Sequence, residues 1–147
     1  MITPQKIYIA CDHAAFEAKE NLKKDFPSLE WVDLGTHSTD SVHYPEYAQL
    51  LAKKVQLDPG ARGVLLCGSG IGVSIVANRF KHIRAALCRD AHDAEMSRRH
   101  NNANVLCLGA RKSSSDELAV MLKTFLSTAF EGGRHEERVL LFDGKGL

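Results

Sequence analysis

An apolar run, Val64-Leu65-Leu66-Cys67, meets three glycines on alternate positions in Gly68-Ser69-Gly70-Ile71-Gly72. A helix-like stretch follows, Ile71 to Phe80. The pattern reads as a buried strand, a tight turn and a helix N-terminus. Glycines let the main chain approach a ligand closely, and amides at a helix start favour an anion or a developing oxyanion. Cys67 stands at the lip of this turn. Nearby amides and a helix N-terminus would lower a thiol from its reference pKa of about 8.5, so Cys67 could act as a nucleophile or a general base. A plain strand–helix turn ending in a buried small hydrophobe accounts for the same residues. The stretch is neither a Walker A loop nor a dinucleotide fingerprint. No Gly-Lys-Ser/Thr follows, Val73 fills the last glycine position, and the turn follows the third strand.

Four further groups could join this chemistry. Asp12-His13 ends the first apolar run and could equally cap a helix. His100-Asn101-Asn102 closes a polar helix. Histidine interacts favourably with a helix C-terminus and asparagine terminates one, so those residues have a structural reading as well as an acid–base one. Arg134 and Arg138 lie four apart and share a face on a helix. Paired guanidinium groups suit a phosphate, although Glu136 and Glu137 could make this a solvated face. Arg111 lies just past the fifth strand.

The elements that position these residues alternate along the chain. Lys6 to Cys11 reads as a strand, Ala14 to Phe26 as a helix, and Trp31 to Leu34 as a second strand. On the first helix Phe16, Leu22 and Phe26 share one face, with Glu17, Lys19, Lys23 and Lys24 elsewhere. Thr36 to His43 is a loop. Tyr44-Pro45-Glu46 opens a helix with proline in its first turn. Gly63 to Cys67 is the third strand, Ile83 to Cys88 the fourth and Val105 to Leu108 the fifth. A helix from Arg89-Asp90 to His100 lies between the last two. Ser113 to Asp116 caps a helix whose stripe is Leu118, Met121, Leu122, Phe125 and Leu126. The tail from Arg134 is charged, then apolar at 139–142.

This alternation predicts a three-layer αβα, Rossmann-like fold on a five-stranded parallel sheet, with strand order 2-1-3-4-5. In that order the carboxyl ends of strands 1 and 3 meet at the switch point, where such sheets bind ligands. Asp12-His13 and Cys67-Gly68-Ser69 would therefore converge.

The 147 residues form one domain, 1–147, large enough for a core without staples. A formal net charge of +1 argues against a nucleic-acid footprint. No apolar stretch approaches the roughly 20 residues of a membrane-spanning helix, and no secretory signal is expected. Cysteines 11, 67, 88 and 107 are too far apart for a C-x-x-C motif. Free thiols in a cytoplasmic protein are the expectation.

Several motifs occur in order: Cys11-Asp12-His13, Asp33-Leu34-Gly35-Thr36, Tyr44-Pro45, Cys67 to Gly72, Ala77-Asn78, Ile83-Arg84-Ala85, Arg99-His100-Asn101, Asn104-Val105-Leu106 with Gly109-Ala110-Arg111, and Glu131 to Arg138. Over about 6–140 the chain resembles the ribose-5-phosphate isomerase B family of sugar-phosphate isomerases, which also includes the galactose-6-phosphate isomerase subunits. The resemblance implies a cofactor-free, metal-free aldose–ketose isomerase of pentose phosphate metabolism. It also implies a homodimer or dimer of dimers whose sites draw on two subunits, with the segment 131–147 at the interface.

Carried over by position, Cys67 is the base, His100 the ring-opening acid/base with Asp12 nearby, and Ser69 a catalytic hydroxyl. Gly68, Ser69, Gly70, Ile71, Gly72 and Asn101 contact sugar and intermediate. His13, Arg111, Arg134 and Arg138 serve phosphate and substrate. Three positions differ among relatives. Ser69 replaces a common threonine, which keeps the hydroxyl with less rigid placement. His43 replaces a common aspartate before Tyr-Pro. Ser74 stands where relatives that lack the thiol carry glutamate, so Cys67 favours the thiol version. A hexose 6-phosphate isomerase and a non-catalytic sugar-phosphate sensor are the alternatives; a thiol-redox protein lacks its paired cysteine.

Overall fold

The computed structural model describes residues 6–144. Residues 145–147 of the expected interface segment, and 1–5 and 145–147 of the expected domain, lie outside the described residues. Five parallel strands form one sheet: β1 (Lys6–Cys11), β2 (Glu30–Asp33), β3 (Arg62–Cys67), β4 (Ala85–Leu87) and β5 (Val105–Gly109). Six helices connect them or follow them: α1 (Phe16–Asp25), α2 (Tyr44–Gln56), α3 (Ile71–Ala77), α4 (Ala91–Arg99), α5 (Ser115–Ser127) and α6 (Arg134–Val139). A 3-10 turn at His13–Ala15 precedes α1. Among the described residues no helix is long and apolar enough to cross a membrane.

The strand order is 2-1-3-5-4, not 2-1-3-4-5. Burial explains the exchange. β5 is buried along its whole length, whereas β4 has three half-exposed residues. The fully apolar strand takes an interior place and the short one the edge. A right-handed crossover back from β4 to β5 then carries α4 to the face of α1 and α5. The two cores reflect this. Leu22, Ala94, Leu118, Met121 and Phe125 share one, and Ala48, Leu51, Val55, Val73 and Ala77 the other.

Local signals hold at most boundaries. Ser114 and Glu117 form a reciprocal capping box at α5. Asn102, two residues past α4's C-cap, adopts the left-handed conformation that asparagine tolerates. Lys19 departs from its expected place on the polar face. It is completely buried and donates to Asp33 at the end of β2, as does Lys23 at 2.8 Å. The second Asp33 oxygen accepts the Gly35 amide at 2.9 Å. Burial alone would raise the Asp33 carboxyl, but the Lys19, Lys23 and Gly35 donors outweigh it and hold it below its ordinary value.

Asp33→Asn strands the Lys19 ammonium beside Glu20 alone and costs about 3 kcal/mol at neutral pH. A depressed folded pKa stabilises above the unfolded value of about 3.9 and ceases to do so as pH falls through the folded value. Urea unfolding should therefore separate wild type from Asp33→Asn at pH 7 and bring them together in acid. An equal gap at both pH values would reject the pairing.

Candidate active site

β1 and β3 are adjacent, and the Asp12 amide donates to Leu66 O at 3.3 Å across their carboxyl ends. A cavity of about 650 Å³ opens there. Asp12, Cys67, Gly68, Ser69, Ile71, Gly72 and Arg111 line it, and Gly70 does not. β5 lies directly beside β3, so Arg111 follows a neighbouring strand and donates its amide to Gly68 O at 3.0 Å. With β4 between them, Arg111 would sit two strand spacings from β3, roughly 9.6 Å. The exchange of β4 and β5 is what brings it to the thiol.

The turn divides its amides among separate tasks. Gly70 N–H donates to Cys67 Sγ at 3.1 Å. Ile71 N–H is capped by Ser69 Oγ at 3.1 Å. First-turn amides have no intrahelical acceptor, which leaves Gly72 N–H for a ligand. Two of the amides expected to hold a ligand are thus already engaged in shaping the turn. Gly70 has φ +79°, and an added Cβ would lie 2.7 Å from Leu87 Cδ1. A Cβ on Gly72 would stand 2.4 Å from the Tyr44 ring, so the aromatic wall needs glycine there.

The other three cysteines differ from Cys67. Burial pushes the Cys11 and Cys88 thiols up to about 12, and Cys107 well above its ordinary value. All four are free and buried, but only Cys67 among them lines the cavity. Asp12 is buried beside it and its Oδ1 caps Ala14 N–H at 3.1 Å. Its structural and chemical readings coexist, because the second oxygen stays available. His13 is not in the cavity wall. Its Nδ1 accepts from Val42 N–H at 3.1 Å, which ties the 36–43 loop down and leaves Nε2 as the donor nitrogen.

The remaining expected residues lie elsewhere in the chain. α4 descends from the carboxyl edge of the sheet to its amino edge, so its C-cap, His100, ends far from Cys67. Beyond it, Asn104 O accepts from Gly63 N–H near the start of β3, four residue steps or about 13 Å below the thiol. Glu131 N–H donates to Arg99 O, so α6 follows at this same edge. His100, Asn101, Arg134 and Arg138 therefore form a second group, separate from Cys67 within one chain. Both arginines are exposed and make no ion pair among the described residues.

Several neighbours of the thiol lie outside the expected set of site residues. Tyr44, Ile75 and Lys112 line the cavity with Cys67. Position alone could have flagged Lys112, next to Arg111, and Ile75, one turn beyond Ile71. His135 stacks on His100 with ring centroids 4.2 Å apart and planes 12° from parallel. Glu131 Oε1 lies 3.6 Å from His135 and 3.9 Å from His100, and Glu131 also pairs with Arg99. Burial, then the charges of His100 and Arg134, lower the His135 pKa. The spacing of Glu131 and His135, four apart, was a legible signal. Ligand atoms of His100, Glu131 and His135 fall within 4.8 Å of one another, close enough to hold a metal. Their nearly parallel rings do not aim their lone pairs at one point, a geometry that suits stacking better than ligation.

Known proteins share this arrangement of elements. A ribose 5-phosphate isomerase from Thermotoga maritima superposes with a TM-score of 0.92 at 46% identity, covering 95% of this chain and 97% of its own. Ribose-5-phosphate isomerase B from Mycoplasma genitalium, solved with bound ribulose-5-phosphate, gives 0.90 at 37% identity, covering 94% and 93%. Ribose-5-phosphate isomerase B of Escherichia coli is 37% identical over 137 residues, 92% of each chain. With its model matching residues 7–141, the chain belongs to the Ribose/Galactose Isomerase family.

Proposed function

We propose that this chain interconverts ribose 5-phosphate and ribulose 5-phosphate, within pentose phosphate metabolism, and that two copies build each site. The observation that carries the reading is a cavity-lining cysteine whose sulfur accepts a turn amide at 3.1 Å, in a chain of this family. Its four free thiols suit a reducing cytoplasm.

The division of the site supports a closed dimer. One edge of the sheet presents Cys67, Ser69, Asp12 and Arg111, and the other His100, Asn101, Arg134 and Arg138. An isologous two-fold contact can pair the first group of one chain with the second of its partner, twice. Apolar residues flank both groups: Ile71 and Ile75 beside the thiol, and Leu140, Leu141 and Phe142 beyond Arg138, all exposed in the single chain. Exposed apolar clusters of this kind mark contact surfaces.

The chemistry then runs in two stages. The substrate enters mostly as a closed furanose. The partner's His100 exchanges protons between the anomeric hydroxyl and the ring oxygen, with Asp12 alongside, and the ring opens to an aldehyde. The Cys67 thiolate takes the proton from C2. The freed electron pair forms the C1–C2 double bond, and negative charge moves onto O1. Gly72 N–H and the Ser69 hydroxyl meet that charge. The O2 proton passes to O1, the C1–C2 pair takes the thiol proton at C1, and a carbonyl remains at C2. His13, Arg111, Arg134 and Arg138 hold the phosphate end, which aligns C1 and C2 with the sulfur.

Turnover of ribose 5-phosphate to ribulose 5-phosphate, followed beside allose and galactose 6-phosphates, tests the assignment. Faster conversion of a hexose phosphate would shift the substrate. Phosphate-sugar binding with no turnover of any member would make the chain a sensor. His100→Asn should slow the cyclic sugar more than an open-chain analogue. Equal losses would remove the ring-opening role.

A further inference from the structure

At the amino edge of the sheet, a cavity of about 460 Å³ is bounded by three arginines from three separate elements. Arg62 begins β3, Arg84 immediately precedes β4, and Arg98 lies in the last turn of α4. None has a carboxylate within ion-pair distance among the described residues. Every partner they have is a neutral oxygen. Arg62 donates to Phe125 O at 2.7 Å, and Arg84 to Asn102 O at 2.6 Å and His82 O at 3.2 Å. Arg98 donates to Thr128 O at 3.1 Å, Asn102 Oδ1 at 3.0 Å and Ala103 O at 2.5 Å.

One guanidinium on carbonyls is an ordinary clip between segments, and Arg98 serves as one between α4, β5 and the end of α5. Three that converge without a counter-charge are a different matter. Arg98 is only 5% exposed. Arg62 and Arg98 both lie over the Phe125 ring, at 5.5 and 5.7 Å, a contact that does not neutralise them. Burial and then repulsion from Arg62 and Arg84 bring Arg98 down to about 10, so it stays cationic at neutral pH and pays for its place in the cluster. Asp143 acts on Arg84 from outside ion-pair distance. It is engaged with His82, whose amide and Nδ1 it meets at 3.2 Å. Gln56 and Asn104 supply further polar lining.

We propose that Arg62, Arg84 and Arg98 form an anion site for a phosphate-bearing small molecule, distinct from the one that serves the isomerase reaction. Each guanidinium keeps a terminal nitrogen, Nη2, with no acceptor among the described residues, and a phosphate dianion offers matching oxygens and the missing charge. Arg134 and Arg138, assigned to the substrate phosphate, do not line this cavity. The thiol lies at the opposite edge of the sheet. Free phosphate and a nucleotide phosphate share the required chemistry.

Calorimetric titration of the intact protein with inorganic phosphate, and separately with adenosine 5′-monophosphate, tests the site. The proteins are wild type, Arg62→Met, and the double variant Arg134→Met/Arg138→Met. Saturable binding of either anion should persist in the double variant, and Arg62→Met should weaken it at least tenfold. The Nε–Hε resonances of Arg84 and Arg98 in the double variant should shift with the same titration. That readout needs no change in the cavity, so it decides the matter if Arg62→Met fails to fold. The stronger binder of the two identifies the source. Binding lost in the double variant, unmoved by Arg62→Met, without response at Arg84 and Arg98, or unsaturated at about 10 mM would overturn the proposal.

Discussion

Replacing Cys67 by alanine should lower kcat for ribose 5-phosphate by about 10³-fold, the middle of the range for loss of a positioned general base. Alanine removes the sulfur and leaves the turn intact, since Cys67 reaches only Gly70 N–H with its side chain. Binding of ribose 5-phosphate by calorimetry should change little, because in the proposed site His13 and the arginines, not the sulfur, hold the phosphate. No other thiol can deputise. Cys11, Cys88 and Cys107 are buried in the core, which disfavours their thiolates. Turnover within tenfold of wild type would remove the base assignment. A parallel loss of binding and turnover would instead point to a disturbed cavity.

A mixture of two inactive variants should regain activity. In a dimer of one Cys67→Ala chain and one His100→Asn chain, shared sites segregate the defects. One site holds both substitutions. The other combines an intact Cys67 with an intact His100. Random re-association of equal amounts places half the chains in mixed dimers with one working site of two, so activity returns to about a quarter of wild type. Separately refolded variants, mixed only after refolding, should show far less. If each chain carried its whole site, co-refolding would restore nothing. The outcome follows from topology: α4 delivers His100 to the edge of the sheet opposite Cys67, and no rotamer change spans the length of a strand.

Periodicity and turn residues placed every strand and the helices of the alternation to within a few residues. They did so because those signals are local: short apolar runs, a Ser114–Glu117 box, Pro45 in a first turn, Asn102 past a helix end. Lys19 shows their limit. On a helical wheel it belongs to the polar face, yet β2 brings Asp33 against it and the pair is buried. A charge is placed by its partner, and the partner comes from another element.

The carboxyl-end site was legible for the same local reason. Cys67, Ser69 and Asp12 lie at strand ends, and adjacent β1 and β3 bring them together under either strand order. By itself the sequence determined the parallel sheet, the glycine turn after β3 and the cysteine at its lip. Only the tertiary structure decided that β5, fully apolar, displaces β4 to the edge, and so sets Arg111 beside Gly68 and α4 on the far face. It likewise placed His100, Asn101, Arg134 and Arg138 at the amino edge, stacked His135 on His100, and gathered Arg62, Arg84 and Arg98 without a carboxylate. These outcomes depend on which strand is buried on both faces. That is settled by packing across the whole sheet, which no window of sequence contains.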